Sequence, residues 1–162
     1  MYYVNYFFIF SIIGHFIETV FVKNFESGIL FGWWTPVYGI GIVLILWIGK
    51  LVNRIKLDQK IIIKIGITYL LSMILLSLIE LLGGYLIEWL FHQEFWNYEK
   101  HKFHLGPYIS LEMANIWGIS SIFVLYVLKP IIDKVERHIP KLVTYLLILL
   151  FLIDVIFTLL YK

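Results

Sequence analysis

Apolar residues run along this chain in five long blocks separated by short polar clusters. The blocks show neither the alternation of a half-buried strand nor the narrow stripe of a helix on a water-soluble core. A helix rising about 1.5 Å per residue needs roughly 20 apolar residues to cross the bilayer hydrocarbon, and each block approaches or exceeds that length. They are Tyr3–Val22, Pro36–Val52, Ile61–Phe91, Ile109–Leu128 and Leu142–Tyr161. Lys129-Pro130 is expected to close the fourth, and Pro140 to open the fifth. The third is too long for one straight crossing, so it should tilt strongly, break near Gly83-Gly84, or project past the bilayer. Between the last two, apolar Ile131, Ile132 and Val135 alternate with Asp133, Lys134, Glu136 and Arg137, the pattern of a short amphipathic segment at the interface. No basic cluster or small-residue cleavage site accompanies the first block, so it is expected to be retained as a span. The pattern predicts an all-α membrane protein, a bundle of about five transmembrane helices forming a single transmembrane domain over residues 1–162.

The connection between the first two spans has its own signature. Gly28, Gly32 and Pro36 recur every fourth residue and lead into Tyr38, Gly39 and Gly41. Glycine's backbone freedom and proline's missing N–H argue against regular helix and for a re-entrant Gly/Pro loop over Gly28–Thr35, folded back against the protein. Such backbone reaches membrane depth only where protein or a wet cavity satisfies it. Trp33 and Trp34 are expected to be an interfacial aromatic anchor, while Gly39 and Gly41 permit close helix approach. No Lys-Ser/Thr pair follows, so this is not a nucleotide-binding loop.

Composition agrees with the block pattern: 61% of residues are hydrophobic, and the mean hydropathy is +0.89. A formal charge of +2 gives no footprint for nucleic acid. With no cysteine, disulfides, iron–sulfur clusters and thiolate zinc sites are excluded. Basic residues set the expected orientation. Lys50, Arg54, Lys56, Lys60 and Lys64 flank one connection, and Lys129, Lys134, Arg137 and Lys141 flank another on the same side. The opposite side holds Lys23, Lys100, Lys102 and Lys162. That bias predicts a multi-pass cell-membrane protein with its N-terminus cytoplasmic and its C-terminus outside.

Five acids then stand out within or at the edge of apolar spans: Glu18, Glu80, Glu88, Glu112 and Asp154. On the predicted topology all lie toward the outer side. A carboxylate in hydrocarbon costs several kcal/mol unless neutralised, paired or wetted, so such residues are site candidates. Ser11, His15 and Glu18 share one helix face, and Glu80, Gly84, Glu88 and His92 recur every fourth residue. Histidine and carboxylates at such spacing can ligate a divalent cation. A proton-sharing polar network that joins helices in lipid is the preferred reading, and neither a metal nor a cofactor is assigned. Above these spans the polar stretch His92–Tyr108, with Phe95, Trp96, Asn97, Tyr98 and His104, is expected either to cap a cavity or to float among the headgroups. The candidate substrate-binding set is Glu18, Glu80, Glu88 and His15, with Tyr38, Trp96 and Tyr98 as donors from the loops.

These motifs, in this order, resemble the small CmpB-like membrane family named "putative type IV ABC transporters", which has related vertebrate transmembrane proteins. The matching residues are Glu18; Gly28, Leu30, Gly32, Pro36, Tyr38, Gly39 and Gly41; Glu80, Gly84, Glu88 and Phe91; Trp96 and Tyr98; Ile109 and Leu111; and Trp117, Gly118 and Pro130. The resemblance spans roughly residues 7–135. Departures fall at Glu26-Ser27, Trp33, Asn97, Glu99 and His104, marking a divergent member; Glu112 and Asp154 are not carried by it. It implies a transporter subunit; the clustered acids add the expectation of a small cationic or amphipathic solute bound in an outward-facing acidic cavity. No ATP-hydrolysing motif is present, so ABC-type coupling calls for a separate ATPase or other membrane subunit, with membrane lipids as the surroundings. Two alternatives stand beside it: an intramembrane enzyme acting on a lipid or lipid-linked substrate, and a non-catalytic accessory or lipid-sensing protein.

Overall fold

The computed structural model describes residues 1–22, 29–55, 61–94 and 96–161. Lys23, Glu26, Ser27, Gly28, Lys56, Lys60, Phe95 and Lys162 of the sequence reading lie outside them. The described residues form six α-helices: α1 (Tyr2–Ile17), α2 (Pro36–Arg54), α3 (Ile61–Phe91), α4 (Leu111–Phe123), α5 (Lys129–Glu136) and α6 (Lys141–Tyr161). Wider π-turns follow α1 at Glu18–Val22 and α4 at Val124–Leu128. Five stretches are long and apolar enough to cross a membrane: Tyr2–Val20, Pro36–Arg54, Ile61–Phe91, Leu111–Glu136 and Lys141–Tyr161. This is the all-α, five-span architecture the apolar blocks predict.

Burial follows the logic of lipid as solvent. Leu82, Trp89, Leu142 and Leu160 point outward, while Ser11, Thr68, Ser72, Ser121, Thr144 and Thr158 are buried. Hydrocarbon gives no drive to hide a leucine, so helices associate through small and hydroxylated residues that let backbones approach.

Two boundaries differ from the sequence reading. Of the three options for the long third span, a break at Gly83-Gly84 is excluded: α3 runs unbroken for 31 residues, about 46 Å at 1.5 Å per residue. A helix-interior glycine costs only about 1 kcal/mol, less than the unpaired backbone that a break would leave in lipid. Nor does Lys129-Pro130 end the fourth span, since helix continues to Glu136. The π-turn at Val124–Leu128 lies directly before Lys129-Pro130. Its wider winding makes room for a ring that would clash with the carbonyl four residues earlier in a regular α-helix. The amphipathic segment is thus the continuation of the fourth span.

The chain forms two compact units, residues 1–43 with 132–162, and residues 44–131; the boundaries fall within α2 and α5. In the first, α6 packs on α1, and the start of α2 meets α1 backbone to backbone. A Cβ on Gly39 would stand 2.7 Å from the carbonyl oxygen of Phe7 and run into the Ser11 hydroxyl, so only glycine permits this approach. The Thr35 N–H donates to the carbonyl of Ser11 at 3.0 Å. Ser11 lies six residues before the end of α1 at Ile17, so at Thr35 the chain is back about 9 Å along that helix. Trp34 closes the return by packing 5.8 Å from Phe151 of α6. The folded-back loop is present from Ile29 onward. In the second unit α3 packs along α4, where the Tyr69 hydroxyl donates to Asn115.

Candidate functional site

In the second unit the every-fourth-residue stripe of α3 becomes a seat for the loop above it. Glu80 and Gly84 are buried. The Tyr108 ring lies flat over Gly84, where a Cβ would fall inside it, and the ring is almost wholly buried. From there its hydroxyl reaches one turn further and donates to Glu88 Oε2 at 2.9 Å. Tyr98 does the same for the other acid, donating to Glu80 Oε1 at 2.8 Å. Trp117 of α4 faces the Glu80 carboxylate as well. The spacing Glu80, Gly84, Glu88 therefore has a mechanical reason: two acceptors flank one aromatic seat.

The loop that delivers these tyrosines is braced. Tyr98 N–H donates to the Pro107 carbonyl at 2.7 Å, Leu105 N–H to Ile109 at 3.0 Å, and Leu111 N–H to Phe103 at 2.8 Å. Gly106 takes a left-handed φ of 66° at the turn. Asn97 accepts from the Glu99 N–H and donates to Glu94, both at 2.8 Å, so it shapes the turn. Ser110 caps α4 by accepting from the Met113 N–H. Trp96 packs edge-on at 5.9 Å from Tyr108, and Tyr85 at 5.1 Å on another side. Among the described residues the buried Trp96 indole N–H has no hydrogen-bond partner. Burial, and then the carboxylate of Glu88, push the Tyr108 hydroxyl up to about 12, so it remains a donor at every physiological pH.

Glu80 and Glu88 lie eight residues apart on one helix, about 12 Å along the axis. That is too far for one small ion to touch both. Each carboxylate has lone pairs beyond the one its tyrosine uses, so the pair offers two acceptor stations along an aromatic wall of Tyr85, Trp96 and Tyr108.

The remaining predicted residues lie in the first unit. Glu18 opens the π-turn, its backbone N–H bonded to the carbonyls of Gly14 and His15. His15 is half-buried, with an Nδ1 that meets no hydrogen-bond partner among the described residues. Tyr38 packs against Gly14. The structure thus gathers Glu80, Glu88, Trp96 and Tyr98 in one unit, and places Glu18, His15 and Tyr38 in the other.

Asp154 has a different task. It accepts from the backbone N–H groups of Phe31 at 3.1 Å and Gly32 at 2.9 Å, and from the Trp34 indole at 2.6 Å. One carboxylate of α6 thereby pins the folded-back loop. An open cavity of about 360 Å³, lined by Ile12, Phe31, Gly32, Trp33 and Trp34, adjoins it. Sequence reasoning marked Asp154 as an anomalous acid but could not see its partners. It missed Tyr108 as a ligand of Glu88, for which only the seat at Gly84 gave a signal. Glu112 pairs loosely with His101 at 3.5 Å, an interfacial contact. Among the described residues no three histidine, aspartate or glutamate side chains gather closely enough to hold a metal ion.

No curated protein and no solved structure matches the chain. The sequence model of one family, described as "Putative ABC-transporter type IV", matches residues 5–159. That stretch takes in the Glu80–Glu88 stripe, its tyrosine caps and Asp154, and the chain belongs to this family.

Proposed function

We propose that this multi-span protein is the membrane component of a transporter, and that it binds a small cationic or amphipathic solute at Glu80 and Glu88 beneath the braced loop of residues 96–110. The observation that carries this reading is the tyrosine cap on each acid, Tyr98 on Glu80 and Tyr108 on Glu88. Acceptor-only carboxylates with spare lone pairs, walled by aromatic faces, suit a cation with an apolar body. Their separation favours an elongated amphipathic solute or two successive stations. Trp96 adds an indole donor, and Glu18 with His15 and Tyr38 is a second candidate set within its own unit. Energy from ATP would come from a separate ATPase subunit.

Calorimetric titration of the purified protein with hydrophobic organic cations tests this. Glu80→Gln should weaken binding at least tenfold, and Tyr98→Phe about tenfold, the value of one hydrogen bond to a charged group. Undiminished binding by Glu80→Gln would reduce the acids to contacts between helices.

The same reading takes the whole chain as one transmembrane domain with its N-terminus cytoplasmic and its C-terminus outside, from the basic bias of the connections. A cysteine at Gln59, a position outside the described residues, should label only from the cytoplasmic side. One at Glu99 should label only from outside; labelling of both from one side would refute the topology.

A further inference from the structure

The turn joining α5 to α6 separates its charges in a way the linear sequence does not reveal. Read in order, residues 133–141 alternate acids with bases. In the structure the acids are drawn inward to α1. Asp133 accepts from the hydroxyls of Tyr2 at 2.7 Å and Tyr6 at 2.8 Å. Glu136 accepts from the Asn5 amide at 2.9 Å. Asn5 is locked in turn by Thr144 of α6, whose hydroxyl donates to it at 2.6 Å.

The bases are left on the outside. Lys134, Arg137 and Lys141 are all exposed, and none forms a salt bridge among the described residues. Exposed apolar side chains adjoin them, Val135 at 52% exposure and Leu142 at 68%. The backbone is held rigid by bonds from His138 to Val135, Ile139 to Glu136 and Val143 to Pro140. One candidate span ends at Glu136 and the next begins at Lys141, so this elbow lies where the hydrocarbon stops.

We propose that the α5–α6 elbow is a binding surface for anionic phospholipid headgroups. Three exposed cations on a braced backbone, without carboxylate partners among the described residues, complement a phosphate and a second anionic charge. Val135 and Leu142 beside them match the boundary where headgroup gives way to acyl chain. An acidic protein segment would use the cations but leave those two apolar side chains without a reason. Attraction worth about 1 kcal/mol per cation near such a surface amounts to roughly fivefold in affinity each.

Native mass spectrometry of the full chain, exchanged into detergent with phosphatidylcholine or phosphatidylglycerol, reads the preference directly. At least tenfold more retained phosphatidylglycerol than phosphatidylcholine is expected, falling toward parity in K134Q/R137Q/K141Q. The control K100Q/K102Q should keep the preference in full. Raising salt on the unmodified protein should weaken retention progressively, a readout independent of any variant's folding. A preference that survives in K134Q/R137Q/K141Q, or is lost equally in the control, overturns the assignment. Complete displacement of phosphatidylglycerol by inorganic phosphate would make this a soluble-anion site and overturn the lipid.

Discussion

Replacing Asp154 with alanine is expected to lower the melting temperature of the detergent-solubilised protein by about 10 °C. The substitution removes the common acceptor of two backbone N–H groups and one indole N–H. A hydrogen bond to a charged acceptor contributes about 1.5–3 kcal/mol, and a donor left unmade in apolar surroundings costs a similar amount. The Phe31 bond is exposed and counts least, so the total is roughly 3 kcal/mol. At about 2–4 °C per kcal/mol for a protein of this size, that gives the predicted shift. Asp154→Asn keeps one acceptor oxygen and should fall between the two. Tryptophan fluorescence during thermal unfolding checks this, because Trp34 is itself a partner. An unchanged melt in Asp154→Ala would mean that the loop is held by its packing alone.

Two glycines at opposite ends of α3, Gly84 and Gly66, should respond in opposite ways. Gly84→Val is expected to destabilise by about 3–5 kcal/mol, comparable to loss of a buried aromatic from a core, because the Tyr108 ring has nowhere else to lie. The braced loop should lift with it, seen as faster hydrogen exchange across residues 96–110 and loss of the Glu88 contact. At Gly66 an added Cβ would meet nothing within 4 Å. Gly66→Ala should therefore be neutral or stabilise by up to about 1 kcal/mol, the propensity gain of alanine in a helix interior. Equal stability of both variants would deny the ring its seat.

The spans were legible because length and apolarity alone decide what can cross hydrocarbon. The folded-back loop was legible because glycine and proline at Gly32 and Pro36 preclude regular helix there. The stripe of Glu80, Gly84 and Glu88 was readable as spacing, but not as a device. What completes it is Tyr108, 24 positions from Gly84, and no local pattern links them. Pro130 misled for a related reason: its usual effect is to end a helix, and the π-turn that absorbs it leaves no mark in residue type. The predicted polar face of Ser11, His15 and Glu18 also mixes two roles. Ser11 packs at Gly39 and Gly14 at Tyr38, so α1 meets α2 through small residues.

The first unit's polar bonds join positions far apart in the chain. Phe31, Gly32 and Trp34 are bonded to a residue 120 to 123 positions later. Tyr2 and Asn5 find partners 131 positions on, and Asn5 a further one at 139. A ribosome makes residues in order, so α1 and the returning loop emerge long before anything exists to bind them. Contacts at such separation form late, after a large loop has been closed. Until then the Asn5 amide and the loop N–H groups depend on headgroup water or on the insertion machinery. Helix α1 thus enters the bilayer as a provisional tenant, and biogenesis of this half is settled only when α6 arrives.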